Sequence, residues 1–394
     1  MIKAASIQTT IIDDIDLACR DLKSQLDTKL TLLSNSVGIV QCDPEFIELG
    51  IMGPLYKALG IPLVGGTTVT IATNDTIGNN VFAILVLTSD DVEFATSHTV
   101  GLPNGYSEVI EKSIKTAMAS CTKPLRLVMI FPTLANNEAL PGDCYVEAVE
   151  KICGNVPVFG TLSVDDTVEK FERSMSVFNA DSFRQEMSYV LLFGDVKPRF
   201  FVATVPPQSK LAGSDAIITR AEGSVIHEIN NVSTIKYFES IGLASGGKLK
   251  KGVYFVPLLL TAQDANGTSR TFVRAIIDFN ADGSATCRGR VPEGSRIDFG
   301  SLQSPDILSA TSEVVTQINS KLDIQAAILF SCIVRQMYIG PDATKELAQI
   351  KQLIHKDIPF MVSYSGGEIS PISHDINCSA QNWFHNYSLI ACLL

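Results

Sequence analysis

The chain lacks any long apolar segment. Its longest runs, Val253–Leu260 and Ala326–Val334, fall far short of the roughly 18 residues that a spanning helix needs. From Met1-Ile2-Lys3 to Asp16 the sequence turns polar and acidic within a few residues, so neither a signal peptide nor a membrane anchor is expected. It also lacks a Lys/Arg cluster. The formal net charge is −11 and the pI about 5.0, which argues against a nucleic-acid partner. Nine cysteines are scattered without a CxxC pair. Several of them (Cys121, Cys144, Cys153, Cys332, Cys392) sit in or beside apolar patterns. They read as reduced, small apolar residues of a cytoplasmic protein. GxSxG, HExxH and GxGxxG are all missing, and the sequence makes no positive case for catalysis. Gly242-Leu243-Ala244-Ser245-Gly246-Gly247-Lys248-Leu249 nearly spells a phosphate-binding loop. Leu249, however, stands where Ser or Thr must coordinate magnesium, and a helix precedes it, so a flexible loop is expected.

What is present is a long chain of 394 residues, 46% hydrophobic and 19% charged, which suits two domains of about 200 residues. Hydrophobic periodicity predicts strands at Ala5–Thr10 and Lys29–Ser34, and helices over 14–26 and 44–59. A second run predicts a helix at Tyr106–Ser120, a strand at Leu125–Phe131, and a helix over Cys144–Cys153 with Asp143 as its N-cap. Three further strands are expected at Met175–Phe178, Tyr189–Phe193 and Arg199–Val205. Pro206-Pro207-Gln208-Ser209-Lys210 has the composition of a linker. Beyond it come several antiparallel strands, with a hairpin turn at Asp282-Gly283. A helix over Pro305–Ser320, a strand at Ala326–Phe330, a helix over Pro341–His355 and a last strand at Tyr387–Leu394 complete the chain.

One element recurs. Ile358-Pro359-Phe360-Met361-Val362-Ser363-Tyr364-Ser365-Gly366-Gly367-Glu368-Ile369 starts as a buried strand and turns into small polar residues, two glycines and an acid. Ile61-Pro62-Leu63-Val64-Gly65-Gly66-Thr67-Thr68 and Val156-Pro157-Val158-Phe159-Gly160-Thr161-Leu162-Ser163 echo it. The order strand, helix, Pro-strand-Gly, strand is shared by residues 29–87, 125–193 and 326–394. The expected fold is mixed α/β: repeated strand-helix-strand-strand units forming mixed sheets flanked by helices. The expected division is 1–205, a linker at 206–212, and 213–394. In such folds ligands sit beyond the carboxyl ends of strands.

Phe330-Ser331-Cys332-x-x-Arg335, Pro359, Tyr364-Ser365-Gly366-Gly367-Glu368-Ile369-x-Pro371 and His385-Asn386 resemble the C-terminal half of the FIST sensory domain. Ala221-Glu222-Gly223, Ile226-His227-Glu228-Ile229, Tyr237 and Asp282-Gly283-Ser284 through Gly294 are similar to its opening and middle. Pro62 through Thr67 and the strand at Val81 resemble its N-terminal half. The resemblance implies a ligand-sensing module of bacterial signalling that binds small molecules such as amino acids; some members bind haem and report nitric oxide. Many members carry an output domain, which this chain has no room for, so a separate signalling partner is expected.

The candidate ligand-binding residues are Ser331, Cys332, Arg335, Tyr364, Ser365, Gly366, Gly367, Glu368 and Asn386. An Arg fork holds a carboxylate and a Glu accepts from an ammonium, so Arg335 and Glu368 suit an amino acid. Equally, the two pair only with each other. Gly366-Gly367 either line an anion or only turn the chain. Tyr364 supplies a stacking surface and Ser365 a hydroxyl. Cys332, amid apolar neighbours, reads as inert core. Two alternatives remain: an enzyme using Cys332 or Glu368 in the same pocket, and a b-type haem sensor using His374 or His385. No other cofactor and no metal is expected. Asp165-Asp166 and Asp13-Asp14 read as solvated loop or cap acids.

Overall fold

The computed structural model describes residues 1–102, 105–134, 140–167, 171–204, 210–249, 256–263, 269–372 and 381–394. The first unit runs β1 (Lys3–Thr9), α1 (Ile15–Lys29), β2 (Asn35–Cys42), α2 (Pro44–Glu48), α3 (Met52–Leu59), β3 (Leu63–Thr67), β4 (Ile71–Thr73), β5 (Ile77–Gly78) and β6 (Phe82–Ser89). The second runs β7 (Glu93–His98), α4 (Tyr106–Met118), β8 (Leu125–Pro132), α5 (Gly142–Cys153), β9 (Val158–Thr161), β10 (Ser176–Phe178), β11 (Asp181–Phe183) and β12 (Met187–Phe193). The third opens with β13 (Arg199–Ala203) and is then interrupted by an antiparallel insert. The insert holds β14 (Lys210–Glu222), β15 (Val225–Ile229), β16 (Val232–Ser233), α6 (Thr234–Ser240), β17 (Ala244–Ser245), β18 (Lys248–Leu249), β19 (Leu258–Gln263), β20 (Ser269–Arg274), β21 (Ile276–Phe279), β22 (Ala285–Cys287) and β23 (Arg296–Gly300). The third unit resumes with α7 (Ser304–Asn319), β24 (Ala327–Cys332), α8 (Ile333–Ile339), α9 (Lys345–Leu353), β25 (Phe360–Ser365), β26 (Glu368–Pro371), β27 (Asn382–His385) and β28 (Leu389–Leu393).

Local chemistry explains most boundaries. Asp14 caps α1 by accepting from the Leu17 N–H, and Ala18, Cys19, Leu22 and Leu26 form its buried face. α1 continues to Lys29, so the expected strand at Lys29–Ser34 is absent. Thr88 and Asp90 side chains hold the Leu33 and Ser34 N–H groups instead, and the apolar run from Val37 carries the strand. The expected helix over 44–59 is two helices, because Gly50, at φ 86°, turns the chain between them. Gly60, in the left-handed region, ends α3. The single strand expected over Thr271–Phe279, one of the antiparallel run, is likewise two, β20 and β21, separated at Ala275. The glycine-rich stretch from Gly242 forms a hairpin: Gly246 and Gly247, at φ 60° and 76°, join β17 to β18.

Three six-stranded sheets share one topology: β1-β6-β2-β3-β10-β11, β7-β12-β8-β9-β26-β27, and β13-β28-β24-β25-β4-β5. The third and fourth strands of each are parallel. The parallel pairs begin alike. Pro62, Pro157 and Pro359 offer their carbonyls to the N–H groups of Gly38, Val128 and Ala327 at 2.8, 2.9 and 3.0 Å. A proline lacks a donor but keeps its acceptor, which suits a strand's first residue. The last two strands of every sheet are a hairpin lent by another unit. The second unit completes the first sheet, the third completes the second, and the first completes the third.

One apolar cluster is shared by all three sheets, through Ile39 and Val64, Met129 and Phe159, and Ile328 and Met361. Phe159 stacks on Phe330 at 5.4 Å between centroids. Helices cover the outer faces. Leu22, Phe46 and Leu55 pack on the first sheet; Ile110, Val149, Val315 and Ile350 belong to the cluster on the other two. The insert has a core of its own around Phe238, Leu258 and Phe299. Of the expected linker, 206–209 lie outside the described residues and β14 begins at Lys210. Because β13 pairs with β28 and β4 with β25, strands from both sides of this segment share a sheet. Among the described residues no helix is long and apolar enough to cross a membrane.

Candidate functional site

The three Pro-strand elements meet at their carboxyl ends. Val164 donates to the Thr67 carbonyl (3.0 Å), Gly366 donates to the Leu162 carbonyl (2.9 Å), and the Thr68 hydroxyl donates to the Tyr364 carbonyl (2.6 Å). Each unit therefore clasps the next. The recurring glycines are not equivalent, contrary to the sequence pattern. Gly65-Gly66 lies inside β3, whereas Gly366-Gly367 turns the chain from β25 to β26. By strand register Gly65 corresponds to Gly160 and Val362.

Arg335 and Glu368 do not pair. Arg335 is fully buried on α8, and its Nε and Nη2 donate to Glu346 Oε1 at 3.0 and 2.7 Å. Its remaining bonds go to Thr311 Oγ1 and to the carbonyls of Ile307 and Tyr387. Ser331 and Thr311 donate to the same Glu346 carboxylate at 2.9 and 2.8 Å. Every nitrogen of the Arg335 guanidinium thus has a protein partner, so Arg335 and Ser331 hold α7, α8, α9 and β24 together. Glu346 was not singled out from the sequence. Its signal was a carboxylate on the apolar stripe of α9, one turn from Ile350.

Glu368 belongs to a different set. Its Oε2 accepts from the Ser388 hydroxyl at 2.7 Å, while Oε1 has no partner among the described residues. Burial pushes its carboxyl up to about 8, against the pull of the Ser388 hydroxyl. Burial, helped by Glu368, also raises the Cys332 thiol far above its ordinary range, so Cys332 is inert core. The Tyr364 hydroxyl donates to the Ala343 carbonyl at 3.1 Å and its ring is buried. Ser365 Oγ both accepts from Gly367 N–H and donates to its carbonyl. Asn386 accepts from the Ala275 N–H and donates to the His385 carbonyl. His385 is buried with Nε2 against the Ser370 carbonyl (3.1 Å), and burial drops its pKa to about 4. His374 lies outside the described residues.

Two more assignments change. Asp143 sits in the first turn of α5 but does not cap it; its carboxylate takes the Arg290 N–H (2.5 Å) and Arg274 Nη2 (3.4 Å). Asp165 is buried rather than solvated, accepting from the N–H groups of Thr167 and Arg173.

Next to the clasp lies a cleft of about 560 Å³ between the second unit and the insert. Leu134, Leu140, Leu162 and Phe384 give it an apolar wall, and Asp278, Asn280, Thr286 and Arg288 give it a polar one. Gly142, Gly289 and Gly367 bed the Phe384 ring: a methyl on any of them would fall 2.1–2.9 Å from it. Asp278 pairs with Thr286 across β21 and β22, so the two side chains share a face. Arg288, two residues beyond Thr286, also lines the cleft. Among the described residues no carboxylate pairs with it, and the buried Cys332 thiol is the group that acts on its charge. Burial lowers its pKa to about 10, which still leaves the group charged at neutral pH. Neither Arg288 nor Asp278 was flagged by sequence. Asp278 sits on the short strand β21 and Arg288 just past the end of β22, and the wall they face, from Leu134 to Leu162, is more than 100 residues away in sequence.

The chain matches the FIST N domain over residues 36–232 and the FIST C domain over 236–371. No curated protein matches it. Among solved structures it aligns with cyanuric acid hydrolase from A. caulinodans over 100% of this chain and 99% of that one, at 10% identity and TM-score 0.37. PurLQS from Thermotoga maritima aligns over 100% and 71%, at 11% identity and TM-score 0.21. At these scores neither likeness carries an argument about activity. With the two matched halves meeting between residues 232 and 236, the chain belongs to the FIST family of sensory domains for signal transduction.

Proposed function

We propose that this protein is a sensor that holds a small amino-acid-like metabolite in the cleft between the second unit and the insert. The observation that carries the reading is the part-buried Arg288 guanidinium at that cleft, which has no carboxylate partner among the described residues. A buried cation without a counter-charge is costly, and a ligand carboxylate offsets that cost through two parallel N–H···O bonds. The exposed Asp278 carboxylate on the same face suits an ammonium, and the wall of Leu134, Leu140, Leu162 and Phe384 suits an aliphatic or aromatic side chain. This moves the expected amino-acid site from Arg335 and Glu368 to Arg288 and Asp278.

A ligand there touches two separately folded parts at once. It stabilises the arrangement in which they are close, and a separate signalling partner that recognises this arrangement would read its presence. The test is a thermal-shift screen with single amino acids, followed by calorimetric titration of the hits. A ligand at 100 times its Kd adds about 2.7 kcal/mol. The expected result is a Tm increase with one or a few amino acids that vanishes in Arg288→Met. A screen in which the wild type never shifts, or in which Arg288→Met shifts equally, overturns the reading.

A further inference from the structure

Three polar atoms at the meeting point of the sheets have no hydrogen-bond partner among the described residues: Gln41 Nε2, Ser163 Oγ and Glu368 Oε1. Their residues are 1%, 2% and 0% exposed. One comes from each unit. A fourth such atom, the Tyr387 hydroxyl, lies apart in the cluster around Leu302 and Ile307. A buried polar group without a partner costs roughly 1–3 kcal/mol, so three together call for an explanation.

Register brings the three towards one place. Gln41 lies beside Gly66 in the parallel pair β2–β3. Ser163 Oγ lies directly over Gly66, since a methyl built there would be 1.9 Å from it. Ser163 continues the parallel register past β9, through its bridge to Thr133. Two residues before it on the same face is Thr161, and directly opposite Thr161 is Glu368. The surroundings are polar as well: Ser363 donates to Gln41 Oε1 at 3.0 Å, and Ser365 is the register equivalent of Ser163. On this face the apolar layer of Ile39, Phe159 and Met361 has given way to amide and hydroxyl groups.

We propose that Gln41, Ser163 and Glu368 line an enclosed polar site where the three sheets meet. It takes a small uncharged molecule that both accepts and donates hydrogen bonds. Gln41 Nε2 requires an acceptor, while the Ser163 hydroxyl and the Glu368 carboxyl work in either sense. The charge balance favours a neutral guest, because the Glu368 carboxyl is held up to about 8 and the nearby Arg335 is already neutralised by Glu346. Ordered water and an amide-sized solute share this chemistry. Either one ties the three units together at a point their own side chains leave unfilled. The site is independent of the Arg288 cleft.

The test is a crystal structure of the full, unmodified chain at a resolution that shows ordered water. Density within about 3 Å of Gln41 Nε2, Ser163 Oγ and Glu368 Oε1 is expected. Native mass spectrometry of the same preparation separates the sources: a retained extra mass marks a solute, and its absence beside clear density marks water. An empty centre overturns the proposal. Ser163→Ala gives a second readout. Removing an unsatisfied hydroxyl raises Tm, whereas removing one bonded to a guest lowers it, by about 1–3 °C. A raised Tm counts against the site.

Discussion

Arg335 and Glu346, eleven residues apart on consecutive helices, form a fully enclosed ion pair in which two N–H groups converge on one carboxylate oxygen. Thr311 and Ser331 complete the carboxylate's bonds. Arg335→Met is therefore expected to cost about 3–5 kcal/mol, since it strands a buried carboxylate. Arg335→Met with Glu346→Leu is expected to recover a large part of that loss. Denaturant unfolding of the single and double variants checks both. A single variant of wild-type stability would show that the pair does not hold the fold.

Arg288 predicts the opposite behaviour. Its guanidinium has no counter-charge among the described residues, so Arg288→Met removes a cost in the free protein. The ligand-free variant should match or exceed the wild-type Tm while losing the ligand-induced shift. A ligand-free Tm well below wild type would mean that Arg288 is structural.

Stability should fall as pH rises from about 6.5 to 8. Glu368 titrates near 8 in the folded chain and has an ordinary value of 4.5. Across that interval the folded state binds more protons than the unfolded one, so each step up in pH favours unfolding. His385 acts in the opposite sense. Held down to about 4 from 6.5, it is neutral when folded and charged when unfolded, and stability rises with pH through that window. The two slopes oppose each other below 6.5, and only the Glu368 slope remains above it. It amounts to ~1.5 kcal/mol between pH 6.5 and 8. Glu368→Gln should flatten the profile there; an unchanged slope would assign it to another group.

The glycines separate by environment. A methyl on Gly65, at φ 150°, would fall 1.9 Å from the Val40 carbonyl oxygen, and one on Gly160 would fall 2.0 Å from that of Ile130. These are backbone contacts across a parallel pair and cannot relax by a rotamer change. Gly65→Ala and Gly160→Ala should each cost ~3 kcal/mol or more. Gly53 has nothing within 4 Å but directly precedes Pro54 in the first turn of α3, where a Cβ meets the proline ring, so Gly53→Ala should cost far less than the other two without stabilising the chain. Thermal unfolding of the three variants decides the order.

The sequence alone determined the unit and its threefold recurrence. A proline followed by a short apolar strand is local chemistry, and Pro62, Pro157 and Pro359 do occupy one position in three equivalent sheets. Periodicity likewise located α1, α4, α7 and the central strands, because one buried face leaves its mark every three or four residues, or every two. Only the tertiary structure decided who partners whom. That each hairpin completes a neighbouring sheet has no local signature, since an edge strand reads the same whichever sheet accepts it. Arg335 looked equally ready for Glu368 or for a ligand, and its actual partner Glu346 went unnoticed, because an ion pair is fixed by packing of separate elements rather than by spacing. The same holds for Arg288, to which folding brings no carboxylate among the described residues.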